Sequence, residues 1–172
     1  MRRRVLLSVL ALPLAGFGVL ASGFSPSTVA VVYLAAVTPW LCWFDVTAHR
    51  LPNVLVIPAI GTGVAAVAVE WIATGRMPVV PLVAGGAYAG LLLVLNLVGG
   101  MGMGDVKLAA ALGFASWSVS VAVLSPVVAF LVGGVVSVVL LIAGNRGRRI
   151  AFGPFLLGGF WVAVGLVAAS RI

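Results

Sequence analysis

The chain has 172 residues, 63% of them hydrophobic and only 8% charged, with a mean hydropathy of +1.31, whereas soluble domains carry about 25% charged residues. Such a chain has too little polar surface to face water, and its long unbroken apolar runs point to membrane-spanning helices, not to the alternating strands of a barrel. One cysteine, Cys42, excludes an internal disulfide, one histidine, His49, leaves nothing like a zinc cluster, and the net charge of +7 is spread in short basic patches that suit membrane-protein loops better than a nucleic-acid surface.

In chain order, Arg2, Arg3 and Arg4 precede an apolar run from Val5 to Ala21, interrupted by Pro13. This run also resembles an export signal, but kept as an uncleaved helix it brings the helix count into agreement with the loop charges. Ser25, Pro26 and Ser27 read as a turn. Thr28 to Phe44 predicts a second helix ending in Trp40 and Trp43, aromatics suited to the headgroup level, with Cys42 as a small packing residue. Asp45 to Asn53 reads as a loop in which His49 and Arg50 are solvated and Pro52 is placed to start a third helix over Val54 to Ala73. Glu70, Trp71 and Arg76 mark the outer rim of that helix.

Val79 to Val98 predicts a fourth helix, whose Asn96 is expected to hydrogen-bond between helices. Gly99 to Gly104 then breaks the pattern before Asp105 and Lys107. Leu108 to Ala143 is too long for one span and tight for two, at about 20 residues per crossing, so it is divided near Trp117 to Ser120, leaving a short fifth helix. The basic loop GNRGRR, residues 144–149, precedes a last helix over Phe152 to Ser170, entered through Gly153 and Pro154. The glycine pairs at 85/86, 133/134 and 158/159, and Gly86 with Gly90, predict close helix approaches.

The expected fold is therefore all-α, a polytopic transmembrane bundle of about seven spans. It comprises an N-terminal helix over residues 1–24 and a six-helix unit over 25–172. With the N-terminus in the cytoplasm, Arg2, Arg3, Arg4, Arg50, Lys107, Arg146, Arg148 and Arg149 lie inside, and only Arg76 and Arg171 lie outside. That asymmetry is what the positive-inside rule requires, and it puts Asp45 and Asp105 on the same, cytoplasmic, side.

The chain has only three acidic residues, and two of them, Asp45 and Asp105, stand at helix ends within apolar sequence, where an ionisable group is costly and suggests function. Two neighbouring carboxylates can hydrolyse a peptide bond without a metal or a nucleophile: one takes a proton from water and the other protonates the substrate carbonyl. Gly102 and Gly104 are expected to supply unusual backbone conformations and room for an extended substrate strand. Lys107 either holds Asp105 ionised or anchors its helix in the headgroups, and the anchor is the favoured reading.

These motifs resemble the type 4 prepilin peptidase family, GxGD-type intramembrane aspartyl proteases. Gly102 to Leu108, GMGDVKL, matches GxGDxKL; Asp45 followed by Leu51, Pro52 and Asn53 resembles the first aspartate motif; Ala151 to Leu156, AFGPFL, resembles a third landmark. The likeness spans about Val29 to Ala169. It implies a peptidase of the bacterial inner membrane that removes a short basic leader from pilin or pseudopilin precursors of type IV pilus or secretion systems at the cytoplasmic face. Asp45 and Asp105 would be the catalytic pair, with Pro52, Asn53, Gly102, Gly104, Lys107, Gly153 and Pro154 around them, and no metal or cofactor. The lipid bilayer and the precursor are the implied partners. Larger members carry a CxxC-bearing cytoplasmic domain and methylate the new N-terminus; with Cys42 alone, no methyltransferase activity is expected, and the short format looks like the peptidases of tight-adherence pili. Two other classes fit less well: a proton-coupled transporter, which predicts an internal pseudo-symmetry not found here, and a non-catalytic subunit of a secretion assembly.

Overall fold

The computed structural model describes residues 2–23, 25–99, 101–143 and 151–170, and among these every regular element is an α-helix. The helices are α1 (Arg2–Ser22), α2 (Ser27–Ala48), α3 (Asn53–Thr74), α4 (Val79–Leu97), α5 (Met103–Phe114), α6 (Val119–Ile142) and α7 (Gly153–Ala169). Four of them, α2, α3, α4 and α6, are long and apolar enough to cross a membrane. Large apolar side chains point outward along them, including Ile72, Leu97, Leu131 and Val135, which only a lipid environment accommodates at this density. The expected helical membrane bundle is thus what the chain forms, although the basic 144–149 loop lies outside the described residues.

Neighbours pack in the pairs α1 with α2, α2 with α3, α4 with α5, and α6 with α7, while α5 sits against α3, α4 and α7. The interior is filled by Leu34, Leu41, Leu92, Leu108, Leu112, Leu157 and Phe160, all essentially inaccessible. Hydroxyl and indole groups fix the registers: Tyr33 Oη donates to the Leu55 carbonyl at 3.2 Å, and Tyr88 Oη to the Ala122 carbonyl. Between α2 and α7, Trp161 Nε1 donates to Thr38 Oγ1 at 3.0 Å. Thr38 has its own donor satisfied by the Leu34 carbonyl at 2.6 Å, so its oxygen is free to accept.

Small residues let α5 approach its neighbours. A Cβ at Gly113 would lie 2.6 Å from the Ala84 backbone, and one at Gly63 or Gly85 would meet Phe114 at 2.7 or 2.8 Å. Phe114 therefore plugs the slot between α3 and α4. The glycine pairs work by halves: Gly85, Gly133 and Gly159 face a packed neighbour, whereas Gly86, Gly134 and Gly158 have nothing within 4 Å. Gly90 is equally open, so the Gly86/Gly90 spacing does not mark a helix contact; both residues fall on the face of α4 turned away from α5.

Two boundaries depart from expectation. Helix α2 runs a full turn past Phe44, because Val46, Thr47 and Ala48 continue it until His49 turns left-handed, at φ 50°. Asp45 is thus a helical residue and not part of a loop. The fifth helix is short as expected, and the break falls at Ala115 to Ser118, where Ser118 caps α6 by accepting from the Val121 backbone N–H. Ala115 and Ser116 are fully buried, so this irregular stretch is shielded by protein, as backbone outside a helix must be at membrane depth.

Candidate active site

The C-terminal turn of α2, the first turns of α3, α5 and α7, and the segment following α4 converge at one end of the bundle. Asp45 and Asp105 are both there and both buried, at 5% and 9% exposure. Leu51, in the turn that follows the Asp45 helix, lies over Gly104, the neighbour of Asp105, so the two carboxylates are carried at the same end of the bundle.

Asp45 is held from α7. Its Oδ2 accepts from the Gly153 backbone N–H at 2.8 Å, one of the donors that a helix start leaves unsatisfied. A Cβ at 153 would sit 2.7 Å from that oxygen, so the position admits glycine alone without displacement. Pro154 follows in the first turn of α7, where the absence of an N–H costs nothing. The Thr38–Trp161 hydrogen bond lies about two turns deeper in the same antiparallel pair, and it sets the register in which Asp45 meets Gly153.

Asp105 occupies the first turn of α5. Its Oδ2 lies 3.4 Å from where a Cβ on Gly102 would be, and its own backbone N–H donates to the Gly102 carbonyl at 3.0 Å. Its Oδ1 is buried without a hydrogen-bond partner among the described residues. An orphaned buried acceptor of this kind is expensive and calls for a donor. Along α5, Asp105, Leu108, Ala109 and Leu112 form the buried stripe, the i, i+3, i+4, i+7 pattern of an inward face.

The glycines serve close approach more than conformation. Gly102 has an ordinary extended backbone, at φ −79°, and Gly104 is helical; among the described residues of this loop the left-handed one is Gly99, at φ 88°. A Cβ on Gly104 would lie 3.1 Å from Leu51 Cβ, because Leu51 lies over that glycine. Asn96 also differs from expectation: its Nδ2 donates to the Met101 carbonyl at 2.6 Å, so it ties down the loop after its own helix instead of bridging two helices. Cys42 packs against the core as expected.

Lys107 donates to Asn53 Oδ1 at 3.0 Å. Two residues apart on a helix, Lys107 and Asp105 point in different directions, so the lysine is not a counter-ion to the aspartate. Pro52 stands in extended conformation just before α3, with Asn53 as its first residue. The site residues expected from sequence therefore gather at one end of the bundle. Two residues named in the sequence take roles there that spacing does not specify: Leu51 is seated on Gly104, and the His49 backbone N–H closes the α2 helix on the Asp45 carbonyl. Both lie in the turn after α2, and with Asp45 assigned to a loop that turn had no defined direction.

The sequence profile of the type IV leader peptidase family matches residues 31–143. Comparison with curated proteins and with solved structures finds no match.

Proposed function

Since this chain belongs to the type IV leader peptidase family, and is thereby a peptidase, we propose that it is an aspartyl endopeptidase that cleaves the short basic leader from type IV pilin-like precursors, of the tight-adherence kind, at the cytoplasmic face of the bacterial inner membrane. Asp45 and Asp105 are the catalytic pair. The observation that carries this reading is the burial of both carboxylates at one end of the bundle, with Asp45 tethered through one oxygen and Asp105 left with an unpartnered one.

The chemistry follows from that arrangement. Two carboxylates in one site resist ionising together and so share a proton. The ionised member takes a proton from water as the oxygen attacks the scissile carbonyl, and the protonated member gives its proton to the carbonyl oxygen. On collapse the C–N bond breaks, the carboxyl that took the water proton gives it to the departing amine, and a hydroxyl of the tetrahedral carbon returns its proton to the other carboxylate as the carbonyl reforms, leaving the pair as it began. Gly153 orients Asp45, and the exposed Gly102, with only Asp105 and its own loop beside it, gives an extended substrate backbone close access.

Asp45→Asn and Asp105→Asn each remove a group that can exchange a proton. Each is expected to lower precursor processing by at least about 100-fold while the protein still inserts, read from the size shift of a co-expressed pilin precursor. Retained processing in either variant overturns the assignment.

A further inference from the structure

The two aspartates are carried by different helices, and the sequence between them has to hold those helices in one relative position. From Asp45 the chain leaves α2 through His49, whose N–H caps the Asp45 carbonyl at 2.9 Å, and reverses into Leu51, Pro52 and Asn53. This turn meets the first turns of α5 at two points. Leu51 covers Gly104, and Asn53 Oδ1 accepts from Lys107 Nζ at 3.0 Å, between residues 54 positions apart. Gly104 and Lys107 are three apart on α5 and so lie on one face, the one turned to the start of α3 and away from Asp105.

The geometry points to Lys107 and Asn53 as positioning residues, forming a latch that sets the distance between the Asp45 and Asp105 arms of the site. The Leu51–Gly104 contact is apolar and non-directional, and it leaves α5 free to slide or rotate against the turn. A charge-assisted hydrogen bond to a side-chain amide adds the direction that packing lacks. The role differs from headgroup anchoring, because it depends on Asn53 as much as on Lys107.

This inference rests on the peptidase reading for its kinetic test but has a second test that does not. The protein is reconstituted in phosphatidylethanolamine–phosphatidylglycerol vesicles with a precursor peptide bearing a short basic leader. Lys107→Met and Asn53→Ala are each expected to lower kcat about tenfold with KM nearly unchanged. The double variant should lose no more than either single one, as for two members of one interaction. The exchanged pair, Lys107→Asn with Asn53→Lys, should recover most of the loss. Normal kcat in Asn53→Ala, losses that multiply in the double variant, or no recovery on exchange would overturn the latch.

Independently of activity, spin labels at positions 46 and 103 in a Cys42→Ala background report the spacing of the two arms, since Val46 and Met103 are both exposed. The distance distribution should broaden in each single variant and narrow again in the exchanged pair; an unchanged distribution in Lys107→Met overturns the proposal. Should Asp45→Asn and Asp105→Asn retain processing, the hydrolytic reading falls, while the spin-label distances still decide the latch.

Discussion

Gly153 and Asp45, 108 residues apart in the chain, meet through a backbone N–H to carboxylate hydrogen bond of 2.8 Å. The helix start supplies the donor, and the missing side chain supplies the space. Gly153→Ala would put a methyl carbon 2.7 Å from the carboxylate oxygen, and either α7 or Asp45 has to move. Processing is expected to fall about 10- to 100-fold, the scale of loss that a misplacement near 1 Å produces at a reacting centre. Turnover equal to the unaltered protein would show that the tether does not position Asp45.

The packing of α5 makes a prediction about stability alone. Gly113→Ala brings a methyl group to 2.6 Å from the Ala84 backbone, an overpacking expected to cost about 1–3 kcal/mol. Gly90→Ala, with nothing within 4 Å, should leave stability unchanged or raise it by up to about 1 kcal/mol, because glycine is unfavourable inside a helix. Thermal unfolding in detergent micelles checks the pair, and an equal response in both would contradict the observed facing of the two residues.

A third measurement concerns the register of α2 and α7. Trp161→Phe keeps most of the ring volume and removes the donor to Thr38, for an expected loss of about 0.5–1.5 kcal/mol. Processing should decline in parallel, since the same helix pair aligns Asp45 with Gly153 two turns away. Full activity with lowered stability would separate the register bond from the site.

Much of this bundle is written in local composition. The Gly99 to Gly104 break, the short fifth helix and the entry of α7 at Gly153 are visible because glycine, proline and chain length leave few alternatives. The turn after α2 was harder to read. Trp43 and Phe44 look like the edge of a span, yet Val46 to Ala48 are compatible with further helix, and only the left-handed His49 ends it. The partners of Lys107 and Asp45 are 54 and 108 residues away, separations at which periodicity carries no information. Likewise, which member of each glycine pair faces a neighbour depends on the rotation of the helix about its axis, and a doublet of identical residues does not encode that.

Helix α5 is only twelve residues long, about 18 Å from end to end, and its far end is stopped where Phe114 wedges between Gly63 and Gly85. Sliding such a rod by one residue moves its tip by about 1.5 Å, a travel large enough to disable a reacting group. The bulk of an uncharged ring nine positions from Asp105 thus works as a depth gauge. Trimming or enlarging that ring would retune the proposed chemistry from the far end of the helix without altering a single polar atom.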